Sequence, residues 1–535
     1  MRVLALALAL NSVLAPSVAG AIAPPAEVAL TLAEARALAL EKNIELRVER
    51  ENVAVAASGE GRAKGAYDPT LRADARWRDR TDPVNSILSG APTGELAPNT
   101  SGYVASLGIS QLLPTGGTVA FTTTTAHDET TNVFASLSPS WSTSLGLELR
   151  QPLLRNFPID PARQGLRVAR VDRSRSAASL ARVTAETVAA VERAFWSLLA
   201  ARRDAEARES AVALAERQKV DVGSRVEAGT LSEADLAAPA AELEKRKGEL
   251  YGSREAASRA ENALRSFLLA DPADPLWSSR LVPVDEPEGP APTAPDVEAA
   301  LVSATATRPE VAEAAARLER LTLEDEAARD RTRPQLDLIA AYARRGLAGE
   351  QNPGIDPPFP VGATEIPDAV DGGLGRSWGT VREGRYPDAS VGLALTIPLG
   401  NRAARADAAV ARSSRTQAYL ALLRTRQAVE VEVRNAAVAL ETAAQRLAAA
   451  RAGRTAAETQ LRVEEERFDA GLSTTFFVLT RQNDRTQALL AETAALADLR
   501  KSRVEWARAT GTLLEERHIE TENDPPAASP QGGSR

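Results

Sequence analysis

Metal binding and nucleophilic catalysis draw heavily on cysteine and histidine. This 535-residue chain has no cysteine, only His127 and His518 as histidines, and Met1 as its one methionine. Familiar metal-ligand and nucleophile–base sets are therefore nearly excluded, and so are a disulfide framework and an N-terminal lipid on cysteine. No Gly-rich phosphate loop appears either, so no catalytic residue, cofactor or metal site is expected. The 64 basic and 72 acidic side chains are interspersed and sum to −8, and nothing in them suggests a nucleic-acid partner.

What the chain offers instead is polar groups at two regular spacings. In the first, Arg72, Asp74, Arg76 and Arg78 alternate with Leu71, Ala73, Ala75 and Trp77. Gly146, Glu148 and Arg150 likewise oppose Leu145, Leu147 and Leu149, and Gly392, Ala394 and Thr396 oppose Val391, Leu393, Leu395 and Ile397. Leu336, Leu338, Ala340 and Tyr342 alternate less sharply. Segments of about nine to eleven residues with one apolar face, one polar face and an aromatic near an end are the signature of a lipid-facing barrel with a wet lumen. Arg72, Asp74, Arg76, Arg78, Glu148 and Arg150 are then lumen residues. A soluble sandwich would instead bury the apolar face as core. Strands so few and so far apart cannot close a barrel within one chain, so several protomers must pool them.

The second spacing occurs twice. "SRVEAGTLSEADL" (224–236) returns 242 positions later as "ERFDAGLSTTFFVL" (466–479). In each copy a glycine, Gly229 or Gly471, follows a long helical run and can take the left-handed conformation that closes a helix. Ser232 or Thr474 can then cap the next helix, and Asp235 completes a capping box with Ser232. Pro239, about seven residues past the first tip, is expected to kink the outgoing helix.

The elements that must position these tips are long. Residues 161–228 and 403–470 read as helices of about 100 Å each. In the second, Val433, Leu440, Leu447, Leu461 and Phe468 recur at multiples of seven, with Ala436, Ala443, Ala450 and Ala457 between them. That is a coiled-coil seam with a small second position, broken only by Arg454. The whole chain is a duplication. "LTLAEARALALEKNIELRVE" (30–49) matches "PDVEAALVSATATRPEVAEA" (295–314), and "YDPTLRADARW" (67–77) matches "TRPQLDLIAAY" (332–342), both at offset 265. Residues 24–290 form the first repeat and 291–517 the second, joined by the Pro-rich stretch 271–296 and followed by a disordered tail, 518–535. The basic Arg2, a short apolar run and Ala19, Ala21 and Ala23 read as a signal peptide, 1–23.

In this order and twice over, "ALALEKNIEL", "ATRPEVAEA", "LELRQPLL", "LTIPLG" and the two tips resemble the TolC-type outer-membrane efflux proteins across about residues 30–517. The resemblance implies an α plus membrane β-barrel fold. A homotrimer pools its strands into one barrel in outer-membrane lipid, continued into the periplasm by a coiled-coil helical barrel. It implies the exit duct of a tripartite efflux pump or type I secretion system, with a periplasmic adaptor and an inner-membrane transporter as partners. The matching adaptor-contact positions are Arg225, Gly229, Thr230, Leu231 and Ser232, and Arg467, Gly471, Leu472, Ser473 and Thr474. Where some relatives narrow the entrance with aspartate rings, this chain has Phe477 and Thr480, which with Phe476 implies an apolar constriction. The alternative, that both rings are coiled-coil knobs, stays open at the level of sequence.

A periplasmic adaptor is the nearest rival, but it should carry one hairpin flanked by soluble β-domains. A structural coiled-coil scaffold would not need the strands. One feature departs from the family's usual four strands per protomer. Eighty-three residues separate Pro69 from Pro152, against 64 between Pro334 and Pro398. The excess holds "YVASLGISQLLPTGGTVAFTTTT" (103–125), which alternates on both sides of a tight PTGG turn. This predicts six strands per protomer with Pro114–Gly117 as a periplasmic turn. The competing arrangement leaves 103–125 as a hairpin above the membrane.

Overall fold

A computed structural model describes residues 27–81, 83, 86, 89–230, 232–285, 295–354, 366–470 and 472–520. The signal peptide 1–23, Leu231, Gly471, the repeat boundary at 290–291 and the tail beyond 520 lie outside the described residues. The described elements are, in chain order, β1 (27–30), α1 (32–42), α2 (44–64), β2 (70–81), β3 (99–112), β4 (118–130), β5 (137–152), α3 (161–227), α4 (237–268), β6 (280–283), α5 (297–307), α6 (309–330), β7 (335–351), α7 (374–383), β8 (386–396), α8 (402–469), α9 (475–510) and α10 (513–516).

They form two compact units, each drawing on both repeats. One takes its described residues from 1–44, 186–295 and 436–506, the other from 45–185, 296–435 and 507–535. The duplication is visible in the backbone at offset 265. Helices α1 and α5 are both 11 residues long. Thr31 caps α1 by accepting from the Glu34 N–H in a capping box, and Asp296 caps α5 by accepting from the Ala299 N–H. Asn43 and Arg308 break each pair of helices in nearly the same extended conformation, with ψ of 127° and 128°.

In the first unit the core gathers where α1 meets the long helices. Ala35 and Ala39 bring α1 close enough for Val191, Phe195 and Leu198 of α3 and Leu264 and Leu268 of α4 to pack as one cluster with Leu30 and Leu281. Those last two belong to β1 and β6, a parallel pair that sequence reasoning missed, since β6 is only four residues inside a Pro-rich stretch. Further along, Val212 and Ala215 of α3 meet Leu243 and Leu250 of α4, and Leu440, Ala443 and Leu447 of α8 meet Leu496 and Leu499 of α9. Large residues alternate with alanine, so the helices lie close, as coiled-coil packing requires. Arg454 does not leave a polar hole in the seam: its guanidinium reaches Glu492 of α9 at 2.8 Å, and Arg451 joins the same carboxylate at 3.4 Å.

A second expectation also meets a different structure: Pro239 does not kink a helix. Residues 233–236 form a 3-10 turn and the α-helix starts only at Ala237, so Pro239 sits in the first turn, where its missing N–H leaves no bond unmade. The two long helices run 161–227 and 402–469, within a residue of the expected limits.

The second unit holds an antiparallel six-stranded meander, β2-β3-β4-β5-β7-β8. The extra hairpin of the first repeat is part of it: β3 pairs β2 from Thr70↔Ser110 to Thr81↔Asn99, and β4 pairs β3 from Thr100↔Thr130 to Leu112↔Thr118. The turn between them is closed by the Leu113 N–H donating to the Gly117 carbonyl at 2.7 Å, with Gly116 at φ +79°. A Cβ on Gly116 would stand 2.8 Å from the Asn156 carbonyl, just before α3. This turn therefore lies at the end of the sheet where the strands join the helices.

Strand register sorts the side chains onto two faces. One row runs Leu71↔Ile109↔Phe121↔Leu147↔Tyr342, apolar throughout. Six residues further along β2, Trp77↔Tyr103↔His127↔Trp141 form an aromatic row, with Tyr103 stacked on His127 at 5.2 Å and His127 4.2 Å from Trp141. Val391 and Leu393 on the same face are 78% and 67% exposed in the single chain, too large an apolar surface to leave in water. Among the described residues, no helix is long and apolar enough to cross a membrane.

The break between α5 and α6 is held by charge. Buried Arg308 binds Glu310 at 2.7 Å and Glu432 of α8 at 2.6 Å, and Arg508 of α9 reaches Glu432 at 3.2 Å. Burial works against the Glu310 charge, but hydrogen bonds from Arg308 outweigh it and hold the carboxyl below its ordinary value. A depressed carboxyl stabilises the fold at neutral pH, and that contribution is lost as pH falls through the folded-state value, below the ordinary 4.5. Arg308→Gln should therefore lower stability at pH 7 by roughly 2 kcal/mol. It should also flatten the acid dependence of thermal unfolding in detergent, followed by circular dichroism. Unchanged acid dependence would contradict this assignment.

Candidate functional site

The first tip is built by its backbone. Gly229 adopts φ +73° and donates to the Val226 carbonyl at 2.9 Å, while the Thr230 N–H donates to the Arg225 carbonyl at 2.9 Å. This pair of bonds is the Schellman closure, which satisfies carbonyls that a helix end leaves free. The Thr230 hydroxyl donates to the same Arg225 carbonyl at 2.8 Å. Ser232 then opens the next segment in a capping box: its N–H donates to Asp235 at 2.8 Å, and its hydroxyl accepts from the Ala234 N–H at 3.1 Å.

The second tip shares one bond of this closure. The Leu472 N–H donates to the Arg467 carbonyl at 2.8 Å, the same five-residue step as Thr230 to Arg225. Ser473 donates to Glu464, and the Thr474 carbonyl accepts from the Phe477 N–H at 3.0 Å as α9 begins. Leu472 projects into solvent, 81% exposed. One contact that sequence reasoning missed joins the two copies: the Arg225 guanidinium lies over the Phe468 ring, 5.3 Å from its centroid, while also pairing with Asp221 at 3.2 Å. Pattern alone could not reveal it, because the partners lie 243 positions apart.

Phe476 and Phe477 sit in the first turn of α9 with ring centroids 5.6 Å apart. They are 69% and 51% exposed, whereas the neighbouring Val478 is 5% exposed and serves as the packing residue. The two rings are thus not knobs within their own protomer. Thr480 is exposed as well, its hydroxyl donating back to the Phe476 carbonyl at 2.8 Å.

The six polar residues of the strands share one face of the sheet. Asp74 stands opposite Ser106 and accepts its hydroxyl at 2.7 Å; Arg72 and Arg78 stand opposite Gly108 and Gly102, and Arg76 opposite Val104. Glu148 lies between Ala120 and Ala341, and Arg150 binds the buried Asp337 at 2.6 and 3.0 Å. The small neighbours Gly108, Gly102, Ala120 and Ala341 add little bulk beside Arg72, Arg78 and Glu148. Among the described residues, no group of three or more metal-ligating side chains could hold an ion.

Residues 300–512 match the family described as outer membrane efflux protein. No curated protein matches the chain by sequence. The fold is similar to that of the outer membrane channel CmeC of Campylobacter jejuni, with TM-score 0.61 and 16% identity over 92% of this chain and 87% of that one. The outer membrane protein VceC of Vibrio cholerae aligns with TM-score 0.60 and 15% identity, covering 90% and 96% of the two chains. The open state of the MtrE outer membrane channel of Neisseria gonorrhoeae aligns with TM-score 0.57 and 17% identity, covering 90% and 89%. Residues 300–512 thus match the outer membrane efflux protein family in sequence, and over about nine-tenths of its length the chain has the fold of these outer membrane channels.

Proposed function

We propose that the chain is one protomer of a homotrimeric exit duct in the outer membrane, extending into the periplasm. There it receives cargo from an inner-membrane transporter through a periplasmic adaptor. The observation that carries this reading is the open sheet. It has an apolar face, a polar face, and two outer strands, β2 and β8, whose outward edges have no partner among the described residues of the chain. In lipid such edges must be paired, and closing the sheet on copies of itself does so. Three copies would make an eighteen-stranded barrel, wide enough for an aqueous lumen. Arg72, Asp74, Arg76, Arg78, Glu148 and Arg150 then line the water-filled side. The role is conduction, with no catalytic step assigned to any residue.

The duplicated tips fit the docking of an adaptor. With Leu231 and Gly471, the residues Arg225, Gly229, Thr230, Ser232, Arg467, Leu472, Ser473 and Thr474 give each protomer two similar helix-turn-helix ends, so a trimer presents six. Gly229→Val penalises the left-handed closure by roughly 1 kcal/mol or more and reshapes the tip, and Gly471→Val makes the same substitution at the matching position of the second tip. Cargo export should fall several-fold while the amount of protein in the outer membrane stays constant. Normal export by both variants would remove the tips from the docking surface.

Phe476, Phe477 and Thr480, exposed on each protomer, converge in this reading on the periplasmic aperture. The purified protein should form pores in planar bilayers, and Phe477→Ala should raise their conductance. A wild type that forms no pore contradicts the exit-duct reading. An unchanged Phe477→Ala conductance contradicts only the aperture.

A further inference from the structure

Helix α7 lies on the face of the sheet that the exit-duct reading turns toward lipid, and the role assigned to its C-terminal end rests on that reading. Its docking surface is made of small residues. Ser377 shares a 2.8 Å hydrogen bond with Thr143 of β5, and the Leu347 N–H of β7 donates to Thr380 at 3.2 Å, above the point where β8 ends. A Cβ added to Gly346 would stand 2.1 Å from the Ser377 carbonyl, so the glycine is what admits the helix. Thr143 and Gly346 are paired and lie on the same face as Leu147 and Tyr342.

The helix ends at Gly384, in the left-handed conformation, within a group of guanidinium side chains. The Arg344 guanidinium passes within 3.6 Å of a Cβ placed on Gly384, binds the Tyr342 hydroxyl at 3.1 Å and stacks over that ring at 5.9 Å. Arg382 is exposed on the last turn of α7. Arg385 comes next, paired with Glu383 at 2.6 Å, the one carboxylate on the helix. Two positive charges, Arg344 and Arg382, are left uncompensated by this pair.

The level of this cluster in the bilayer is set by β7. Arg344 is nine residues above Gln335, where the strand leaves the helical end. At about 3.3 Å per residue and a tilt near 40°, that is a height of about 23 Å, close to the top of an apolar band about 25 Å tall. Below it on the same face come Tyr342, Ala340 and Leu338, and an arginine pointing toward lipid costs little only near an interface. The geometry points to a seat for the phosphate of an anionic lipid in the outer leaflet, formed by Arg344 and Arg382 at the C-terminal end of α7. The guanidinium fork suits phosphate oxygens, and Tyr342 supplies an apolar wall beneath it.

The test measures lipid binding to the full-length protein in detergent by native mass spectrometry. The probes are bis-phosphorylated lipid A, the same lipid without phosphates, and inorganic phosphate as competitor. The wild type should bind the bis-phosphorylated lipid, and Arg344→Gln with Arg382→Gln should bind it about thirtyfold more weakly. The dephosphorylated lipid should not distinguish the two proteins. Arg382→Gln alone, which removes an exposed side chain, should show an intermediate loss, and Arg72→Gln on the opposite face should show none. Equal binding by wild type and double variant, an equal loss in Arg72→Gln, or displacement of the lipid by millimolar inorganic phosphate would overturn the inference. A wild type that conducts but does not prefer the phosphorylated lipid overturns this site alone, whereas a wild type that forms no pore overturns the reading beneath it.

Discussion

A strand edge is a row of peptide N–H and C=O groups waiting for partners, and hydrocarbon offers none. Strands β2 and β8 each present such a row at the border of a sheet with one apolar face, which the exit-duct reading turns toward lipid. Each unmet group in that setting costs several kcal/mol, far more than any single side-chain contact of the sheet can return. In the exit-duct reading, closure on neighbouring copies therefore decides how the rest of the chain is used. It would separate the charged face around Arg72 and Arg150 from the apolar face around Leu393, and would give the helices that leave the sheet neighbours from other protomers.

The same constraint explains why the chain is written twice. A single repeat supplies one hairpin of long helices and too few strands; two repeats supply two hairpins and a sheet. Each helical hairpin then needs a closed end. The bond from Thr230 to Arg225 and its counterpart from Leu472 to Arg467 are one backbone hydrogen bond used at both tips. The copies differ beyond the closure. The first tip continues through a capping box and a 3-10 turn, and the second goes directly into α9 with two exposed phenylalanines. Equivalent scaffolds with unlike side chains suit a surface that meets one partner in two non-identical places.

Much of this was legible because strands and coiled coils write their periods into the sequence. Alternation at 71–78 and 391–397 located β2 and β8 and sorted their faces, and heptads located the α8–α9 seam. The hairpin at 103–125 could be read as two strands because PTGG supplies a tight turn and a length difference supplied the reason. The elements that escaped have no period to show. Helix α7 is ten residues long, its buried positions are Ser377, Thr380 and Val381, and its seat depends on a glycine in another strand. The pair β1–β6 is four residues on each side and joins parts of the chain 253 positions apart. Arg454 read as a defect because its carboxylate lies on the neighbouring helix, and Pro239 read as a kink because the boundary between 3-10 and α-helix is set by backbone geometry rather than composition.

Pairing of β2 from one protomer with β8 of the next is the central claim, and a chain without cysteine allows a direct measurement of it. Ala75→Cys in β2 can be combined in turn with Ala389→Cys, Val391→Cys or Leu393→Cys in β8, all on the same face of the sheet. Oxidation of the protein in outer membranes, followed by denaturing electrophoresis, should give in at least one register a covalent species of three chains that collapses to one on reduction. A disulfide formed only within single chains, or none in any register, would contradict the account.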